Sequence, residues 1–300
     1  MTDWTTRRTL GRSGLSTRGV GLGTARLGAF WQGRSVAQGR DALAQALDGG
    51  LDLVDTADCY ARGVAERLTG RVARDRDVTV MTKVGLLKTP LALASAARHG
   101  GQVGLSGLTR GPAAATCFET GYVLAAARRC LARQRVAQLD VLLLHEPTAD
   151  DLRQARFLPA VERLTAAGDV ATWGASVRDV AAATAALDLP GLTLLQVPCS
   201  AADTSVVEAV RDTARARGVA LVAIGALGDG RLLDAAAALR PSRSRSELVA
   251  ELGSAALGTE GIDAVLLGMS SPAHVQEVLA ALPSAGSDHL LAQQLREERS

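Results

Sequence analysis

Lysine and tyrosine are almost missing from this chain. Among its 300 residues the only lysines are Lys83 and Lys88, and the only tyrosines are Tyr60 and Tyr122. Nearly every other cationic side chain is an arginine. Aromatic residues make up 3% of the chain, leaving few aromatic walls for a pocket that binds hydrophobic carbonyls. The four cysteines (Cys59, Cys117, Cys130, Cys199) are widely spaced and form no C-x-x-C pair. They read as reduced thiols of a cytosolic protein, with Cys59 as a filler beside Tyr60. No His/Cys/Asp grouping has metal-ligand spacing, so no metal is expected. No G-x-x-x-x-G-K-[ST] loop occurs, which argues against a phosphate-loop ATPase. No apolar run approaches a membrane span, and no hydrophobic region follows Met-Thr-Asp-Trp-Thr-Thr-Arg-Arg as it would in a signal peptide. A net charge of +2 is too small to point to nucleic acid or an anionic membrane. The expected setting is cytoplasmic, with a small-molecule substrate as partner; oligomeric state is not legible.

What is present is apolar and rhythmic. Apolar residues make up 47% and charged residues 21%, a soluble globular composition. The length suggests two domains on a simple prior, but α/β barrels run this long as one unit. Short apolar runs recur at 20–24, 51–57, 78–83, 140–145, 171–176, 192–197, 219–225 and 262–268. They mostly do not alternate, as befits strands buried on both faces. Amphipathic stretches at 39–47, 64–73, 118–133, 158–167, 204–216, 246–257 and 272–282 read as helices. Strand–helix alternation argues for a parallel sheet, and eight repeats for a closed (β/α)8 TIM barrel. Ahead of it, two short runs around Gly11 to Gly14 read as a β-hairpin that plugs the barrel bottom. Two segments break the rhythm. The long Gly/Ala/Ser-rich stretch 85–116 is expected to serve the substrate side. Arg240-Pro-Ser-Arg-Ser-Arg-Ser is expected to be a solvated, mobile loop.

Asp55, Lys83 and His145 end three of the runs, and Tyr60 lies just past one. A parallel barrel gathers such strand ends around one cavity. A chain that avoids lysine yet places one at a buried strand end needs an amine there, because lysine shifts its pKa readily and presents a compact charge. Singly, each residue has a bland reading: Asp55 as a helix cap, Tyr60 as an edge aromatic, His145 as a satisfied structural histidine. Together at three strand ends, the catalytic reading is the better one.

The ordered motifs resemble the aldo-keto reductase family over nearly the whole chain. They are Leu10-Gly-Arg-Ser-Gly-Leu-Ser with Gly21-Leu-Gly-Thr, Asp55-Thr-Ala-Asp-Cys-Tyr60 with Gly63-Val-Ala-Glu-Arg-Leu-Thr-Gly70, Thr82-Lys83-Val-Gly, Asp140-Val-Leu-Leu-Leu-His145, Trp173-Gly-Ala-Ser176 and Gly268-Met-Ser-Ser-Pro-Ala-His274. The resemblance implies one barrel domain over 1–300, with a hairpin at 7–19, barrel at 20–282 and tail at 283–300. It implies hydride transfer between NADPH or NADH and a carbonyl or alcohol. Tyr60 would be the general acid/base. Lys83, held by Asp55, would lower the phenol pKa from its usual ~10. His145 would orient the carbonyl. The cofactor would meet Gly23, Thr24, Ser176, Gln196, Leu227, Gly228, Gly268, Met269, Ser270 and His274, and Trp31 would line the substrate mouth.

The cofactor side departs from the family pattern. Ser176 is followed by Val177 where the family often has Asn. The seventh strand ends in Ala223-Ile224-Gly225-Ala226-Leu227-Gly228 rather than in a stacking aromatic. Gly268 and His274 stand where NADPH-preferring members carry a basic clamp, and Val278 replaces an adenine-contacting Asn. Three readings follow: an NADH-using or dual-specificity oxidoreductase, a tetrad reused for non-redox chemistry as a lyase, dehydratase or isomerase, or a non-enzymatic, cofactor-sensing subunit, which the intact tetrad argues against.

Overall fold

The computed structural model describes residues 4–27, 35–88, 90–99, 115–269, 271–282 and 289–297. The strands are β1 (Arg8–Thr9), β2 (Ser16–Thr17), β3 (Val20–Gly23), β4 (Leu53–Asp55), β5 (Thr79–Val84), β6 (Leu86–Leu87), β7 (Ala115–Thr116), β8 (Leu139–His145), β9 (Val170–Ser176), β10 (Leu194–Pro198), β11 (Ala220–Ile224) and β12 (Ala264–Gly268). The helices are α1 (Val36–Asp48), α2 (Val64–Val72), α3 (Pro90–Arg98), α4 (Thr120–Gln134), α5 (Ala149–Gln154), α6 (Leu158–Ala166), α7 (Val180–Leu187), α8 (Ser205–Arg217), α9 (Arg231–Leu239), α10 (Arg245–Leu257), α11 (Pro272–Ala281) and α12 (His289–Glu297). Strands β3, β4, β5, β8, β9, β10, β11 and β12 close in chain order into a barrel, every neighbouring pair parallel. This is the (β/α)8 architecture expected from the eight apolar runs, with strand ends shifted by at most two residues.

The runs lack alternation because both faces of each strand are covered. Inward residues Leu53, Met81, Val141, Leu143, Leu194, Val222, Ala264 and Leu266 pack into one interior cluster. Outward residues such as Val54, Leu142, Leu144, Leu195 and Leu267 join the larger cluster under the helices. Local signals set the helix ends. Ser35 and Ser244 form capping boxes with Gln38 and Glu247, which satisfy the first free backbone N–H groups of α1 and α10. Gly218, at φ +65°, ends α8 in the left-handed conformation a Cβ would disfavour.

The hairpin of β1 and β2 seals the N-terminal end. Leu10, fully buried, enters the interior cluster, and Leu15 packs beside it. Its turn lies tight against the barrel floor. The Arg12 amide donates to the Gly218 carbonyl at 2.7 Å, and the Arg12 guanidinium donates to the Leu192 carbonyl at 3.0 Å. A Cβ on Gly11 would stand 2.4 Å from the Gly218 oxygen, so only glycine fits there.

Three expectations change. The 240–246 segment is largely exposed, as expected, but it is a short turn braced by side-chain pairs rather than a free loop: Ser244 caps α10, Arg243 pairs with Glu247 and Glu251, and Arg245 pairs with Asp234. Helix α9, which its small-residue run Ala235-Ala-Ala-Ala-Leu239 left unmarked, precedes that turn. The expected tail contains α12, whose Leu291 and Leu295 are buried. Within 85–116 the structure places β6, α3 and β7, while 89 and 100–114 lie outside the described residues, as do Trp31 and Ser270. Among the described residues no helix is long and apolar enough to cross a membrane.

Leu10→Ala is expected to lower unfolding free energy by about 2–4 kcal/mol, the range for a fully buried leucine. Urea denaturation measures it; a loss of under about 0.5 kcal/mol would show that the plug adds nothing to the core.

Candidate active site

The C-terminal strand ends bring a set of polar side chains into an otherwise apolar barrel. Asp55 closes β4, Lys83 lies near the end of β5, His145 closes β8, Ser176 closes β9 and Gln196 lies in β10. All five are buried. Lys83 Nζ donates to Asp55 Oδ2 at 2.5 Å, to the Thr56 carbonyl at 3.1 Å and to the Tyr60 hydroxyl at 3.4 Å. Gln196 Nε2 donates to the other Asp55 oxygen, Oδ1, at 2.6 Å. A carboxylate only accepts, so the amide nitrogen must face it, and Gln196 Oε1 is left buried with no partner among the described residues.

Tyr60 is presented by a tight turn. Its amide donates to the Ala57 carbonyl at 3.1 Å, and the next three residues turn left-handed: Ala61 (φ 45°), Arg62 (φ 54°) and Gly63 (φ 81°). Two of them are not glycine, and such strain persists only where surrounding structure imposes it. Gly63 admits α2, whose buried Glu66 ties that helix to β5 and α4 through Thr82 and Arg133. The ring of Tyr60 meets that of His145 edge-on, centroids 5.7 Å apart and planes at 82°. The four residues singled out from the strand ends thus share one cluster.

Burial dominates the electrostatics. It pushes the Tyr60 phenol up to about 12, although Lys83 pulls the other way. The lowering expected from Lys83 is therefore real but outweighed. Burial also pulls Lys83 down, yet Asp55 and Tyr60 together more than reverse this, and the amine stays charged. His145 is held well below its ordinary value by burial and then by Lys83, Lys88 and Arg178, so its imidazole is neutral.

Several participants escaped the sequence. The Thr56 carbonyl anchors Lys83, and its signal was only adjacency to Asp55. Asp58 lies between Asp55 and Tyr60 in sequence, and the spacing gave it no role. Its carboxyl is raised to about 7 by burial and by Glu66, against Arg133 and Arg129. Glu66 accepts from Thr82 Oγ1 at 2.8 Å and Gln134 Nε2 at 3.3 Å, and pairs with Arg133. Asp58, Cys59 and His145 offer ligand-type atoms within 4.8 Å of one another, a grouping that linear spacing hides. The positive fields of Lys83, Lys88 and Arg178 at His145 oppose a dication there. Cys59, expected as filler, has its Sγ 3.7 Å from His145 Nδ1.

The other candidate positions among the described residues lie toward the same end of the barrel. Gly23 and Gly268 are register partners on β3 and β12, and a Cβ on Gly268 would meet nothing within 4 Å, so the backbone there is open. Thr24 spends its hydroxyl on the Asp55 carbonyl at 2.9 Å, which ties β3 to β4. Leu227 and Gly228 lie in the turn after β11, where Gly225, Gly228 and Gly230 all have positive φ. Met269 is buried in the core. His274 sits in the first turn of α11, its Nε2 without a partner among the described residues and its pKa lowered by burial.

An acid whose folded pKa is raised stabilises the fold fully below its unfolded value and loses that contribution as pH rises through its folded value. For Asp58 the window runs from about 4 to about 7. Urea midpoints at pH 5 and pH 8 should therefore fall less in Asp58→Asn than in the wild type. Equal falls would remove Asp58 from the pH dependence of stability.

The model of the "Aldo/keto reductase family" matches residues 19–260. An aldo-keto reductase from Bacillus halodurans, solved in its holo form, superposes with TM-score 0.74 at 21% identity, covering 97% of this chain and 96% of that one. The glycerol dehydrogenase of Gluconobacter oxydans gives TM-score 0.71 at 19% identity, over 99% and 95% of the two chains. An aldo-keto reductase from Klebsiella pneumoniae in complex with NADPH gives 0.67 at 24% identity, over 98% and 95%. The pyridoxal 4-dehydrogenase of Microbacterium luteolum is 38% identical over 85 residues, 28% of this chain and 25% of that protein, so the match spans a quarter of its length. With the family model matching most of the barrel, this chain belongs to the aldo/keto reductase family.

Proposed function

We propose that the protein is an NAD(P)-dependent oxidoreductase that interconverts a carbonyl and an alcohol, with Tyr60 as general acid/base. The carrying observation is the buried Lys83 ammonium held between Asp55 and the Tyr60 hydroxyl, at 2.5 and 3.4 Å. A nicotinamide cofactor, when bound, supplies or takes up the hydride. The solved relative from Klebsiella pneumoniae holds NADPH, which supports this class of cofactor. The residues present fit it. Gln196 Oε1 is a buried acceptor lacking a donor among the described residues, and a carboxamide N–H would satisfy it. Ser176 lies beside it in register, and Gly23 and Gly268 leave room at the adjoining strand ends. Gly23, Thr24, Leu227, Gly228, Met269, Ser270 and His274 would complete the cradle, and Trp31 would border the substrate.

The roles of the chain's own groups follow from charge. Oxygen gains negative charge as a carbonyl is reduced, and Tyr60, protonated at neutral pH, donates to it. Lys83 stabilises the phenolate that proton loss creates. Asp55 holds Lys83 in place and is itself clamped by Gln196. Neutral His145 donates a hydrogen bond to the substrate oxygen and orients it for attack. The partnerless Gln196 oxygen favours this redox use over a non-redox use of the same tetrad, which would need no carboxamide partner.

Tyr60→Phe is expected to lower kcat by about 10²–10⁴, the usual worth of a general acid, with cofactor affinity unchanged in a direct titration of NADPH or NADH. Near-full activity would end the assignment. Failure of both nucleotides to bind folded wild-type protein would favour the non-redox reading. His274→Arg should raise the NADPH/NADH affinity ratio about tenfold, the scale of one charge-assisted phosphate contact. An unmoved ratio would place the 2′-phosphate elsewhere.

A further inference from the structure

The contact between Cys59 and His145 plays no part in the tetrad described above. We propose that Cys59 is a positioning residue whose thiol donates to His145 Nδ1 and thereby keeps the imidazole proton on Nε2, the nitrogen that donates to the substrate oxygen. The inference rests on the reading of His145 as the orienting donor.

A neutral imidazole has one N–H and one bare nitrogen, and whichever nitrogen accepts a hydrogen bond leaves the proton on the other. Cys59 Sγ lies 3.7 Å from Nδ1, within reach of an S–H···N bond. Nε2 makes no hydrogen bond to any described residue, so Cys59 is the group placed to decide between the tautomers. Both partners are in the required protonation state. Burial pushes the thiol up to about 12, so it carries its proton, and burial with Lys83, Lys88 and Arg178 keeps the imidazole neutral. The opposite polarity, Nδ1–H toward sulfur, would make a thiol the acceptor and turn a bare Nε2 toward a substrate oxygen, lone pair against lone pair. The edge-on contact with Tyr60 fixes the ring plane, leaving the tautomer as the remaining variable. Asp58, beside Cys59, and Lys83 set the surrounding charge.

The test is nuclear magnetic resonance of the full chain labelled with ¹⁵N-histidine. Long-range ¹H–¹⁵N correlations separate protonated from bare ring nitrogens, and His145→Gln identifies the resonance pair among the four histidines. The wild type should show Nε2–H and bare Nδ1 at neutral pH. Cys59→Ala should let Nδ1–H appear and lower kcat about three- to tenfold, the worth of one modest hydrogen bond. Cys59→Ser, which keeps a donor, should restore the wild-type pattern and most of the rate. Wild-type protein with Nδ1–H, or a ring pattern unmoved in Cys59→Ala, overturns the proposal. The two readings fail separately. An active Tyr60→Phe with a Cys59-dependent tautomer would discard the mechanism and keep the tautomer assignment. An inactive Tyr60→Phe with an unmoved tautomer would do the reverse.

Discussion

The buried pair of Lys83 and Asp55 constrains everything around it. Removing an ammonium and a carboxylate from water costs several kcal/mol per ion, and their attraction offsets this only when the remaining hydrogen-bonding positions are also filled. Here they are filled from different strands. Gln196 on β10 takes the second Asp55 oxygen, while the Thr56 carbonyl and the Tyr60 hydroxyl take two donors of Lys83. A barrel is suited to this because its register fixes strand ends to one another. The pair therefore specifies positions on three strands and one loop at once. Removing either partner would leave an uncompensated buried charge, a change costing about 3–5 kcal/mol.

That charged end is possible because the other end is dry. Leu10 and the inward leucines, valines and alanines close the floor, so the interior passes from apolar packing to the ion pair along its own axis. Burial then does the electrostatic tuning. It keeps His145 neutral, the Cys59 thiol protonated and the Tyr60 phenol an acid. Lys83 works against burial at Tyr60 and with it at His145, so one ammonium contributes opposite effects to its two neighbours.

The barrel was legible because each strand is buried on both faces and must be written as a short apolar run. The clustering of Asp55, Lys83 and His145 was legible because parallel strand ends converge, and Tyr60 because it follows one of them. What stayed hidden depends on side-chain direction across the barrel. Nothing in the spacing of Cys59 and His145, 86 residues apart, shows that sulfur meets Nδ1. Asp58 carried no signal because its surroundings, Glu66 and Arg133, come from α2 and α4. Helix α9 was missed since alanine repeats blur the polar–apolar period, and the 240–246 turn because arginines that pair with Glu247, Glu251 and Asp234 look the same in a sequence as arginines in water.

On the proposed assignment, the same burial gives the two directions of the reaction different pH dependences. At neutral pH nearly all Tyr60 is phenol, the form that gives a proton to a reduced carbonyl. Taking a proton from an alcohol needs the phenolate, whose share rises tenfold with each pH unit below the phenol pKa. Stronger help from Lys83 would narrow that gap, but the amine is shared with Asp55, which holds it and also raises the Tyr60 pKa. The carboxylate that makes a buried lysine tolerable thus limits how far that lysine can activate the tyrosine. A site built this way favours proton donation near neutral pH and gains in alcohol oxidation as the medium becomes more alkaline.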